Sequence, residues 1–140
     1  MIIKDIVSVI GLIGIGGLLK SVFDFLIENQ NRKSQSKHEF KQTRYKTIIL
    51  LCFTFLYYDR EKPNLLIHRP DLKSKDDLYN EMFAEWNNMT LYASDKVIYA
   101  FREYLKKSNQ EMYNKLIICM RKDLYGIRTK LKSNDLIISK

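Results

Sequence analysis

The chain is poor in the residues that build catalytic chemistry. Its 140 residues include two histidines, two cysteines, two prolines, one tryptophan and five glycines. His38 and His68 lie far apart in unlike settings, so no Ser/His/Asp or Cys/His set can be assembled from them. Cys52 and Cys119 have no CxxC spacing for metal or redox work, and both sit in apolar runs where they read as small buried hydrophobes. Carboxylates occur singly or beside basic residues at helical spacing, as they do on solvated faces. No catalytic, cofactor-binding or metal-binding residue is assigned. Proline is confined to Pro63 and Pro70, and no alternating strand pattern, internal repeat or low-complexity tract occurs. These absences leave an all-α chain.

What the sequence does contain begins at residues 6–19, IVSVIGLIGIGGLL, a run with no charge. Continuing past Lys20 through Val22, Phe23, Phe25, Leu26 and Ile27 makes an apolar segment of about 22 residues, roughly 30 Å as a helix, the hydrocarbon thickness of a bilayer. A single membrane-spanning helix is expected, with residues 1–30 as anchor and juxtamembrane helix and residues 31–140 as a helical bundle of about four helices. A cleaved signal peptide needs a small-residue cleavage site, and no alanine precedes Ala84. A buried helix of a water-soluble domain is the other alternative, but each glycine costs about 1 kcal/mol in such a helix. Lys20 and Asp24, four residues apart, fit the span least well; they can pair or reach toward the interface.

Ser8, Gly11, Gly14 and Gly17 recur every three residues, with Gly16 beside them. The spacing is neither GxxxG nor the GxGxxG of nucleotide sites. Small residues let membrane helices approach closely, so these five are expected at a helix–helix contact, and with one span the partner is expected to be another copy in a homo-oligomer.

The formal net charge is +8. Arg32, Lys33, Lys37, Lys41, Arg44 and Lys46 follow the apolar run, against Glu39 alone, while Lys4 is offset by Asp5. The positive-inside rule puts the N-terminus outside and the bundle in the cytoplasm of a single-pass plasma-membrane protein. Such a cluster attracts anionic lipid headgroups at about 1 kcal/mol per basic residue. Nucleic acid is the rival partner for the same charge.

Beyond the anchor, Ser36 with Glu39, Ser74 with Asp77 and Ser108 with Glu111 have capping-box spacing, and Ser94 with Asp95 is a fourth start signal. The first bundle helix is expected at residues 36–58. Its second half, TIILLCFTFLYY, is apolar on all faces and too short to span a bilayer, so it is expected to be buried all round or to form an oligomer contact, with a re-entrant membrane segment as the alternative. Residues 59–73, with both prolines, are expected to be a linker in which Leu65, Leu66 and Ile67 run extended. Three apolar stripes at helical spacing follow: Leu78, Met82, Trp86 and Met89; Val97, Ile98, Phe101 and Leu105; and Met112, Leu116, Cys119, Met120 and Leu124. Gly126 is placed as a helix C-cap. In the polar group Arg121-Lys122-Asp123, the basic residues suit a helix C-terminus, and Arg121 or Asp123 is a candidate for an inward polar contact within the bundle or between subunits.

LYASDKVIYAF at residues 91–101, followed by MRKDLYG at residues 120–126, resembles a group of uncharacterised bacterial membrane-anchored helical proteins. More distantly, the four helices with an arginine late in the last resemble the HEPN bundles of RNases and prokaryotic defence systems. HEPN-like membrane accessory proteins of RNA-targeting CRISPR systems join such a bundle to an N-terminal membrane helix and form oligomeric pores. The resemblance covers residues 36–126 in architecture. The HEPN RNase signature is arginine, four to six residues, then histidine; from Arg121 those places hold Gly126, Ile127 and Arg128. Only Arg121 carries over, and the resemblance implies no RNase activity. Taken with the residues, it implies a membrane-anchored, self-associating accessory or effector protein of prokaryotic antiviral defence that assembles in or perturbs the bilayer. The alternatives are a scaffold tethering a cytoplasmic protein partner and an HEPN-like RNA-binding bundle.

Overall fold

No glycine falls between Gly17 and Gly126 and no proline precedes Pro63, so nothing in the first third of the chain stops a helix once it has started. The computed structural model describes residues 2–126 and 130–138, with side chains from residue 20 onward. Five α-helices are described: α1 (Ile2–Leu56), α2 (Tyr58–His68), α3 (Lys75–Met89), α4 (Asp95–Lys106) and α5 (Gln110–Tyr125), followed by a 3-10 turn at Ser133–Leu136. Among the described residues there is no strand. The chain is all-α.

The chain divides into two compact units, Met1–Glu39 and Phe40–Lys140. In the first, the side chains described on α1 are exposed, Val22, Phe23, Phe25, Leu26 and Ile27 included. Among the described residues no helix is long and apolar enough to cross a membrane. Residues 6–19, which carry the expectation of a span, have side chains outside the described set, and so do Ser8, Gly11, Gly14, Gly16 and Gly17.

The second unit has one continuous core. Tyr45, Ile48 and Cys52 of α1 meet Leu78, Met82 and Met89 of α3, Val97, Phe101, Tyr104 and Leu105 of α4, and Tyr113, Leu116 and Met120 of α5. Apart from the adjacent Tyr104 and Leu105, successive spacings within each helix are three, four or seven residues, as one buried stripe per helix requires. Full burial of each large apolar side chain contributes about 1.5–3 kcal/mol. Trp86 is half-buried and donates its indole N–H to the Ile98 carbonyl at 3.1 Å, tying α3 to α4. Asn114, 1% exposed, donates to the Ser133 carbonyl at 3.0 Å and accepts from Gln110 at 2.8 Å, which fastens the 3-10 turn to α5.

The helix starts divide by whether the backbone needs a cap. Ser74 accepts from the Asp77 amide at 3.1 Å while Asp77 accepts from the Ser74 amide at 3.2 Å, a complete capping box for α3. For α5 the cap is Asn109, one residue after the expected Ser108; its side chain accepts from the Met112 amide at 2.9 Å. Ser108 instead returns its hydroxyl to the Tyr104 carbonyl at 2.9 Å. Ser94 occupies the N-cap of α4 without a side-chain cap bond. Ser36 caps nothing. It lies inside α1, because no breaker separates it from the preceding turns.

Two further expectations are corrected. Residues 59–73 are not an extended linker: α2 takes up most of the first part, with Pro63 inside it. Asp59 and Glu61 favour its positive N-terminal end, and buried Leu65 holds its second turn against the core. Residues 47–58 are not buried all round either. Ile48, Leu51 and Cys52 face the core, whereas Leu50 is 66% exposed. Thr47 and Thr54 return their hydroxyls to carbonyls one turn back, Thr43 and Leu50, which lets a polar pair sit on the outer face of an apolar helix.

Candidate functional site

Two carboxylates, one buried and one half-buried, organise the polar side of the second unit. Glu85 stands in the α3 stripe between Met82 and Met89 and is only 7% exposed. Arg44 of α1 answers it: one guanidinium nitrogen, Nη2, lies 2.5 Å from Oε1 and 2.6 Å from Oε2. Burial works against the Arg44 charge, but Glu85 and the neighbouring Tyr92 hydroxyl outweigh it and the pKa is raised. Tyr92 packs edge-on to Phe40, with centroids 5.4 Å apart. Its hydroxyl adjoins Arg44 without forming a well-shaped hydrogen bond, and it is the one buried side-chain polar atom left without a partner among the described residues. Burial raises the Tyr92 pKa, with Arg44 pulling the other way.

The second carboxylate is Asp123, near the end of α5. Tyr45 donates its hydroxyl to Oδ2, Lys41 Nζ lies 3.1 Å from the same oxygen, and the Ser94 amide reaches it at 3.5 Å. Burial alone would raise the Asp123 pKa; the bonds from Tyr45 and Lys41 prevail and lower it. Tyr45 is raised well above the usual tyrosine range by burial and by Asp123. The two clusters thus join α1 to α3 and to the α4–α5 end of the bundle.

The basic residues expected to act together do not share one environment. Arg32 pairs with Glu28 at 2.5 Å on the first unit's surface, and Lys33, Lys37 and Lys46 are exposed. Lys41 and Arg44 turn into the bundle, because three- and four-residue steps place them beside Tyr45 and Ile48 on the buried side of α1. Of the two inward candidates, Asp123 makes the contacts above and Arg121 is exposed. Gly126 closes α5 at φ 58, in the left-handed conformation glycine adopts without strain. Sequence reasoning missed Glu85, Tyr45 and Tyr92. Glu85 carried a signal, since an acid inside an apolar stripe requires a buried cation opposite it.

Open cavities also mark the described part of the bundle. One of about 340 Å³ is lined by Phe40, Arg44, Asn88, Leu91 and Tyr92. A largely apolar groove of about 420 Å³ lies between α1 and α2, along Leu50, Leu51, Phe53 and Leu65, with His68 and Arg69 also lining it. Arg69 is committed to Asp71 at 2.8 Å and Glu81 at 3.1 Å. Another, about 470 Å³, lies against α4 and α5 and includes Tyr99, Met112, Ile118 and Cys119. Among the described residues no group of three His, Cys, Asp or Glu side chains is arranged to hold a metal.

Comparison with known proteins finds no family model, curated protein or solved structure that matches the chain. Glu85 and Asp123 are both occupied by partners from other helices, so the clusters can lock the bundle, and neither presents a carboxylate poised as a general acid or base.

Proposed function

We propose that the chain is a membrane-anchored, self-associating helical protein that acts by assembly at or in the bilayer rather than by catalysis. The observation that carries this reading is the bare apolar surface of the first unit. Val22, Phe23, Phe25, Leu26 and Ile27 are each between 53% and 66% exposed and continue an uncharged run of sequence. Burying that surface in lipid or against another copy removes its contact with water. The glycines at 11, 14, 16 and 17 suit close helix contact within the membrane. A role as an accessory or effector of antiviral defence is proposed on the resemblance to HEPN-like membrane proteins alone.

The test is fractionation. The full chain is expected to require detergent for extraction, with the second unit facing the cytoplasm, whereas a chain starting at Ser34 is expected in the soluble fraction. Full chain recovered without detergent refutes the anchor. Light scattering of the detergent complex then reads its mass, and replacing Gly14 and Gly17 by leucine is expected to lower it.

A second reading, a scaffold that tethers a protein partner, is favoured by the apolar groove between α1 and α2, where Leu50 is largely exposed. A monomeric wild type in detergent would move the conclusion to that reading. Nucleic-acid binding draws less support, because Lys41 and Arg44 spend their charge inside the bundle.

A further inference from the structure

Helical spacing sorts residues 22–39 of α1 into two opposed faces. At 100° per residue, Val22, Phe23, Leu26 and Ile27 fall within an arc of about 140°, and Gln30, Lys33, Ser34 and Lys37 fall within the same arc. Asp24, Glu28 and Glu39 fall within about 60° on the other side, together with Gln35. Arg32 lies on the acidic side, and its charge is taken up there by Glu28 at 2.5 Å. Gln35 is likewise engaged by Glu39 at 3.1 Å. Lys33 and Lys37 are exposed and carry no ion pair among the described residues. One face therefore carries Val22, Phe23, Leu26 and Ile27 and then Lys33 and Lys37; the other carries the acids, with Arg32 and the single aromatic Phe25 beside them.

We propose that residues 22–37 lie with the first face on an anionic bilayer surface, so that the occupant of this face is phospholipid with negatively charged headgroups. The proposal rests on the anchor reading and adds to it a lipid class and an orientation. Val22, Phe23, Leu26 and Ile27 enter the acyl boundary, and Lys33 and Lys37, one to three turns further on, extend their stems along it and place their ammonium groups among the phosphates. Asp24, Glu28 and Glu39 point to water, where the negative surface does not oppose them. A helix leaving the bilayer upright would present both faces equally to the headgroups, and the acids would then cancel the lysines. The segregation of charge accordingly selects an oblique exit, with Lys33 and Lys37 as the lipid-facing cations of residues 22–37.

The experiment uses the full chain in a Cys119→Ser background, with Gln30→Cys or Gln35→Cys carrying a fluorescent thiol label; the background protein without either change corrects for label at buried Cys52. Each protein is reconstituted in vesicles of phosphatidylcholine alone or of phosphatidylcholine with phosphatidylglycerol, and quenching by acrylamide, which is uncharged, reads exposure. With phosphatidylglycerol present, the label at position 30 is expected to be quenched severalfold less than that at position 35. The difference should shrink without anionic lipid, and should be lost when Lys33→Glu and Lys37→Glu are introduced. Equal quenching at both positions, in a chain that stays with the vesicles through an alkaline wash, overturns the orientation and leaves the anchor standing. A chain washed off the vesicles overturns both. Protection that is unchanged in detergent assigns the face to a second copy of the chain and overturns the lipid assignment.

Discussion

Tyr104 Oη donates to the Cys52 carbonyl across 2.6 Å, linking α4 to α1 through a contact from which both residues exclude water completely. Among the described residues α1 has no other polar link to α4 in the core, so the hydroxyl fixes how α4 slides along α1. Removing the hydroxyl alone, by Tyr104→Phe, keeps the ring packing. The expected loss is about 1 kcal/mol, read as a lower urea midpoint with an unchanged slope. Tyr104→Ala adds a cavity and is expected to cost about 3–5 kcal/mol.

The Arg44–Glu85 pair predicts asymmetry between its partners. Arg44→Ala leaves a buried carboxylate unpaired, and the expected loss is about 3 kcal/mol. Replacing both residues with apolar ones, Arg44→Met with Glu85→Leu, is expected to cost less than the single change. A double-mutant cycle in chemical denaturation measures this. Additive losses would show that the two residues are not coupled.

Asp123 gives the stability a pH dependence of known sign. Its pKa is lowered in the folded chain from the ordinary 3.8, so the folded state binds its proton less readily than the unfolded state. The contribution is present above pH 3.8 and is lost as pH falls through the lowered folded value. Asp123→Asn is expected to be less stable than wild type at neutral pH and to lose less on acidification. Thermal melts between neutral pH and pH 3 test it, and parallel curves for the two proteins would exclude Asp123 as the source.

The two serine starts are separable by alanine. Ser74→Ala removes half of a capping box and is expected to cost about 1 kcal/mol. Ser36→Ala is expected to be neutral or slightly stabilising, by up to about 0.5 kcal/mol, because alanine is the better residue inside a helix. Circular dichroism melts of the two variants distinguish a helix start from a helix interior.

That contrast shows where the sequence was legible. The stripes of α3, α4 and α5 could be read because one buried face per helix leaves a period in the apolar residues, and Leu78, Met82, Val97, Phe101, Leu116 and Met120 all lie where the period puts them. Helix ends were harder. Ser36 and Ser74 have the same local spacing, and only the backbone on either side decides whether a cap is needed. In α2 the sequence shows proline, an ordinary helix stop, whereas the helix runs through Pro63 with Leu65 buried two residues on. The polar clusters were half visible. Asp123 stood out by its place at the end of α5, but Tyr45 and Arg44 were hidden in an interval that looked like a surface charge cluster. Partners 41 and 78 residues apart leave no local pattern.

Cys52 and Cys119 lie at different depths, the first fully buried and the second half-buried beside Met112 and Ile118. Burial raises both thiol pKa values, and for Cys119 the nearby Lys122 and Lys96 partly offset it. An alkylating reagent therefore meets two gates in one molecule. Cys119 reports small openings of the α4–α5 surface, and Cys52 reacts only when α1 parts from the core. The ratio of the two reaction rates is a built-in gauge of how much of the bundle opens at once, and it needs no added label.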